Sequence, residues 1–212
     1  MLSWDIETTG LDRTRDLITV MGLYDPDAGL STVLRFVDHT EEGVVKYVDN
    51  IEQLIAQVVE FFDAADCLVG MNTLTFDLPF IQKQFSIPPT TVAQWALKTY
   101  DILEMSRRVL GRTFSLDLLL QTNNFTNLKI ASGKDAVEFA HRGEWDRLAE
   151  YCLSDCVLTH QVHSCKTLVL PEGYHYRAKF NRPVSPTRRM LLDLSNLPAV
   201  RIAHERVPTT AC

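Results

Sequence analysis

No uninterrupted apolar run in these 212 residues approaches the ~20 needed to cross a bilayer, so a membrane role is not expected. The first residues, Met-Leu-Ser-Trp-Asp, lack the basic stretch and apolar run of a secretory signal. Cysteine is sparse and odd in number: Cys67, Cys152, Cys156, Cys165 and Cys212 form no C-x-x-C pair. A dense disulfide framework is thereby excluded, and reduced thiols in a cytoplasmic compartment are the expectation. Cys152 and Cys156 lie one helical turn apart, but zinc needs further ligands at suitable spacing, so they read as small packing residues. There is no internal repeat or low-complexity segment. An excess of positive charge is also missing, with 21 Lys/Arg against 27 Asp/Glu for a net −6.

That acidity is uneven. Residues 168–212 hold seven Lys/Arg and three Asp/Glu, so the rest carries all of the negative excess. Acid gathered in one part, with a basic tail beside it, is compatible with handling a polyanion through cations. The length suits one α/β domain with an extension. Leu2–Ile6 alternates as a short strand. Residues 16–24 and 30–37, separated by Pro26 and Gly29, read as a hairpin. Apolar residues at 51, 54, 55, 58, 59 and 62 mark a helix. A short apolar strand over 67–71 precedes a helix from Pro79 to Phe85, and Ile87-Pro88-Pro89 is a breaker. Lys98–Leu103 reads as a strand running into a short helix. Ser115 and Ser132 cap helices to about 120 and 142, the second with Asp135 in a capping box. A long helix covers 144–168, and a last one is expected near 188–194. Short connections and right-handed crossovers then give an α/β layered domain, a parallel core with an antiparallel edge. The expected division is 1–168 for the domain and 169–212 for a basic C-terminal extension.

The chemistry sits in three places. Strand alternation projects Asp5 and Glu7 from one face and Leu2, Trp4 and Ile6 from the other. Two acids on one face of a buried strand are costly unless a cation or hydrogen bonds compensate, although an exposed edge would tolerate them. Asp77 follows a strand and precedes a helix, at the carboxyl end of a strand where open α/β sheets bind ligands. Taken by itself, a plain helix cap explains it better than catalysis does. Tyr151 and Asp155 are four apart on the long helix and share a face. Each signal alone is weak.

Together, WDIETTGLD with Asp5 and Glu7, GMNTLTFDLPF with Asp77, and YCLSD with Tyr151 and Asp155 resemble the DEDD superfamily of 3′–5′ exonucleases. The resemblance covers about residues 2–165. It is to the DEDDy branch, which includes the proofreading domains of family B DNA polymerases; the sister branch has histidine where Glu150 stands. The resemblance implies an RNase H-like fold, with a mixed five-stranded sheet flanked by helices. It also implies two divalent ions held by Asp5, Glu7, Asp77 and Asp155. Oxygen ligands favour Mg²⁺ or Mn²⁺ over zinc, and paired ions ~3.5–4 Å apart clamp attacking and leaving oxygens. By the same resemblance Asp5 bridges both ions, Glu7 and Asp155 hold the ion that activates water, Asp77 supports the other, and Tyr151 orients the water. A phenol with a pKa near ~10 is a poor sole base.

Thr8, Asn72, Phe76 and Arg107 are the candidate substrate contacts, with Met71 and Leu74 as further stacking groups. Arg108 and Arg112 are placed with Arg107 as phosphate contacts. Tyr174–Arg177 interleaves aromatics with charge. His160 and His163 read as surface residues rather than metal ligands. The expected partner is single-stranded DNA at its 3′ end. RNA with the same chemistry, and an inert nucleic-acid-binding module, stay open as alternatives.

Overall fold

The computed structural model describes residues 1–110, 113–126, 129–165, 167–170 and 190–193. Strands β1 (Leu2–Thr8), β2 (Ile18–Asp25) and β3 (Leu30–Arg35) form an antiparallel meander. The expected second strand of the hairpin stops at Arg35, because the chain turns into a separate ribbon of β4 (Val37–His39) and β5 (Val45–Tyr47). Helix α1 (Ile51–Ala64) leads to β6 (Leu68–Gly70), α2 (Asp77–Gln84), α3 (Pro89–Leu97) and β7 (Thr99–Asp101). Next come α4 (Ile102–Leu110), α5 (Leu116–Thr122), α6 (Gly133–Arg142) and α7 (Trp145–Ser164). The last described strands, β8 (Thr167–Leu170) and β9 (Met190–Asp193), pair antiparallel.

The main sheet runs β3-β2-β1-β6-β7, with β1, β6 and β7 parallel. This is the expected five-stranded mixed sheet. Helix α3 departs from the reading of residues 87–89 as a simple breaker: Pro89 opens the helix, where its missing N–H costs nothing. Two more expectations fail at the C-terminal end. The long helix ends at Ser164, four residues early, and residues 190–193 are strand where a helix was expected. The partner strand supplies a ladder that local propensity does not see. The expected division after residue 168 falls within β8, and Arg112, Tyr174–Arg177 and most of 169–212 lie outside the described residues.

Both faces of β1 are covered. Leu2, Trp4 and Ile6 join one core with α1 to α3, where Trp4 meets Phe62 edge-on at 4.7 Å. Burying such side chains is worth roughly 1.5–3 kcal/mol each, which anchors the strand and lets its other face carry polar groups. That other face meets α7, against which β1 and β2 both pack. The approach is close: a Cβ on Gly22 of β2 lies 2.7 Å from the Cys156 sulfur and 3.1 Å from the Cys152 carbonyl oxygen. Cys152, Cys156 and Cys165 are free thiols. Among the described residues, no helix is long and apolar enough to cross a membrane.

Candidate active site

Asp5 and Glu7 sit mid-strand on the α7 side of β1, as the period-two pattern requires. Asp77 is the first residue of α2, which begins two residues before the expected start at Pro79. Its carboxylate accepts a hydrogen bond from the Ile6 N–H at 3.3 Å, so the α2 N-terminus is tied to β1 between the two acids. Helix α7 brings Tyr151 and Asp155, both buried on its inner face. All five line one cleft of about 280 Å³ with Asn72 and Phe76. Three separate stretches of sequence thus meet in one place.

Phe76 stacks against Phe80 at 5.0 Å and presents an apolar wall. Asn72 adopts a left-handed backbone, φ 70°, which asparagine tolerates better than most residues. Its side-chain oxygen accepts a short hydrogen bond from Thr75. The bend is fixed from beneath by Asp101, whose fully buried carboxylate accepts the N–H groups of Asn72 and Leu74, each at 2.9 Å, and those of Leu103 and Glu104.

Two expected contacts are not in the cleft. Thr8 falls at a register shift in β1, and its hydroxyl donates to the Gly10 carbonyl at 2.5 Å. Arg107 is ion-paired with Glu104 and borders a small neighbouring pocket with Asn72 and Thr75. The histidines are not cleft residues either, but they are partly buried rather than on the surface: His163 packs edge-on against Tyr100 at 4.6 Å and His160 against Tyr24 at 5.3 Å. Lys129, just ahead of α6, was not anticipated. Its ammonium lies 2.6 Å from Asp155 and 5.1 Å from the centre of the Tyr151 ring. Neither Lys129 nor Asp101 belongs to a motif, so no spacing in the sequence marks them.

The acids are held where charge is unfavourable. Burial, then the charge of Asp155, pushes the Asp5 carboxyl up to about 7 despite the opposing pull of Lys129. Burial and then Asp5 raise both Glu7 and Asp77 well above the ordinary carboxylate range. Asp155 is raised by burial in spite of Lys129 and the Tyr151 hydrogen bond. Burial, with Asp155, Glu7 and Asp5 around it, lifts the Tyr151 phenol far above 10, so it serves as a donor and not as a base. Four carboxyls raised together form a site short of positive charge.

The donor set fits a divalent cation. Asp155 is 6% exposed, and its Oδ1 has no hydrogen-bond partner although it is buried, which a cation in the cleft would satisfy. Ligand atoms of Asp5, Glu7 and Cys152 lie within 4.8 Å of one another. The Cys152 sulfur, however, accepts from the Gly22 N–H at 3.1 Å and donates to the Asp5 carbonyl. It faces the sheet backbone, and burial raises its thiol well above the ordinary value. The groups left facing the cleft are carboxylates, which suit hard cations.

A mixed five-stranded sheet with an antiparallel β1–β3 meander, parallel β6 and β7 and an acidic cleft over β1 defines an RNase H-like α/β protein. A family model of the RNase H superfamily matches residues 2–165, and the chain belongs to that superfamily. Among solved structures, the family B DNA polymerase of the archaeon Pyrobaculum calidifontis superposes with a TM-score of 0.51 at 17% identity. The match covers 76% of this chain and 24% of the polymerase, so this chain spans about a quarter of that protein. A nuclease in its apo form matches with a TM-score of 0.44 and 19% identity over 76% of this chain and 68% of that one. Exonuclease I of Methylocaldum szegediense gives 0.38 and 16%, over 76% and 39%. No curated protein sequence matches.

Proposed function

We propose that this chain is a metal-dependent 3′–5′ exonuclease of the DEDDy type that shortens single-stranded DNA from its 3′ end. The observation that carries the reading is the convergence of Asp5, Glu7, Asp77, Tyr151 and Asp155, from three segments, on one cleft. The four carboxylates would hold two divalent cations, Mg²⁺ or Mn²⁺, which would supply Lewis acidity at the scissile phosphate and an activated water. Asp5, Glu7, Asp77 and Asp155 would all serve as ligands, and Asp5 is the acid whose charge reaches both Glu7 and Asp77. Tyr151 donates a hydrogen bond that orients the attacking water. Phe76, with Met71 and Phe114 on the cleft wall, offers apolar surface for the terminal base. Asn72, with its side-chain oxygen engaged by Thr75, keeps an amide N–H for an acceptor on the terminal nucleotide.

The test is digestion of 5′-labelled single-stranded DNA and RNA with Mg²⁺, Mn²⁺ or EDTA. A DNA ladder shortening from the 3′ end, silent in EDTA and abolished by Asp5→Ala or Asp155→Ala, is the expected result. Full activity of Asp5→Ala would refute the site. Preferential degradation of RNA would refute the DNA assignment, because the sugar is read through its 2′-hydroxyl.

A further inference from the structure

We propose that Lys129 is an internal counter-ion that occupies the Asp155 arm of the acidic cleft, and that a divalent cation binds there only by displacing it. The inference rests on the cleft being a cation-dependent active site, and adds what competes for that cation.

Among the described residues, Lys129 is the one basic side chain lining the cleft. Its ammonium lies 2.6 Å from Asp155 Oδ2, with 16% of the lysine side chain and 8% of the aspartate side chain exposed. The Tyr151 ring stands 5.1 Å from the same nitrogen, so the ammonium is lodged against the pair that α7 contributes. The acids it faces come from three elements. Asp5 and Glu7 on β1 and Asp155 on α7 all feel its charge, and Asp117 on α5 acts on it in turn. Asp155 Oδ1 remains buried without a partner, so the lysine satisfies one oxygen of that carboxylate and leaves the other unsatisfied.

One ammonium cannot balance four acids. From Oδ2 it can, however, keep a divalent ion off Oδ1, since an ion and an ammonium cannot both sit within ligand distance of Asp155 without strong mutual repulsion. Lysine suits a displaceable role. Its charge is a compact point on a four-carbon stem, and the stem springs from chain outside α7, so the ammonium can leave while the helix that positions Tyr151 and Asp155 stays in place. A lysine that merely stabilised the fold would raise the stability of the metal-free protein without affecting cation affinity. A displaced lysine must do both, in opposite directions.

The experiment is Mn²⁺ binding to the full chain by isothermal titration calorimetry, with thermal unfolding in EDTA alongside, for wild type, Lys129→Met and Lys129→Arg. Lys129→Met is expected to bind Mn²⁺ at least about tenfold more tightly than wild type and to melt lower in EDTA. Lys129→Arg, which keeps the charge, is expected to gain no affinity. Lys129→Gln repeats the comparison should Lys129→Met not fold. Unchanged or weaker Mn²⁺ affinity in the neutral variants, with wild type binding normally, overturns the displacement proposal alone. A wild-type protein that binds no Mn²⁺ overturns the active-site reading itself.

Discussion

Asp5→Asn is expected to make the metal-free protein more stable while destroying its activity. The Asp5 carboxyl lies among Glu7, Asp77 and Asp155 and rises from its ordinary 3.8 to about 7, chiefly through burial and then through Asp155. The folded chain therefore holds this proton more tightly than the unfolded chain does. Between pH 4 and 7 the unfolded state has lost the proton and the folded state retains it, so wild-type stability falls as pH rises through that window. At 1.36 kcal/mol per pH unit, the full penalty at pH 8 is on the order of 4 kcal/mol. Relaxation and water in the cleft reduce it, and a gain of about 1–3 kcal/mol is expected for an isosteric amide that cannot ionise. In a domain of this size that is a rise in Tm of roughly 3–10 °C. The assay is thermal unfolding in EDTA at pH 8 and again at pH 4, followed by both proteins with Mn²⁺ at pH 8. The gain should be present at pH 8 and gone at pH 4, and Mn²⁺ should stabilise wild type but not the variant. An Asp5→Asn protein that melts below wild type at pH 8, or whose gain persists at pH 4, refutes the electrostatic account.

Tyr151→Phe removes one hydrogen bond of about 1.5–3 kcal/mol and should lower kcat roughly 10- to 100-fold, short of the loss in Asp155→Ala; equal losses in single-turnover assays would make the tyrosine indispensable. Asp101→Ala leaves four backbone N–H groups without their buried acceptor and should cost at least about 3 kcal/mol in urea unfolding, so a cost below about 1 kcal/mol would show that the 72–76 bend does not depend on it. Gly22→Ala drives a methyl into the Cys156 sulfur and the Cys152 carbonyl and should cost about 1–3 kcal/mol, read from the urea midpoint; wild-type stability would mean that α7 and β2 separate freely.

Periodicity alone located most elements around the sheet, because β1, β2, α1 and α7 each place apolar residues on faces that have to be buried. It fared worse where an element depends on a partner or a proline. Helix α3 hides behind Pro88-Pro89, β4 and β5 are too short to show alternation, and β9 exists through its ladder with β8. The same division runs through the site. Asp5, Glu7, Asp77, Tyr151 and Asp155 were legible because each lies in a motif whose spacing survives without coordinates. Thr8 and Arg107, the remaining candidate contacts, do not line the cleft: Thr8 falls at a register shift in β1, and Arg107 is ion-paired with Glu104.

By itself, then, the sequence determined which residues share a face: alternation sets Asp5 with Glu7, and a helical turn sets Tyr151 with Asp155. Both relations are local and follow from backbone geometry. Only the tertiary structure decided that these faces meet, through the Gly22 gap that lets α7 settle on β2 and the Asp77 contact that ties α2 to Ile6. It alone brought in Lys129 and Asp101, whose roles depend on a charge 2.6 Å away and on four backbone groups to be satisfied, long-range relations that no spacing along the chain encodes.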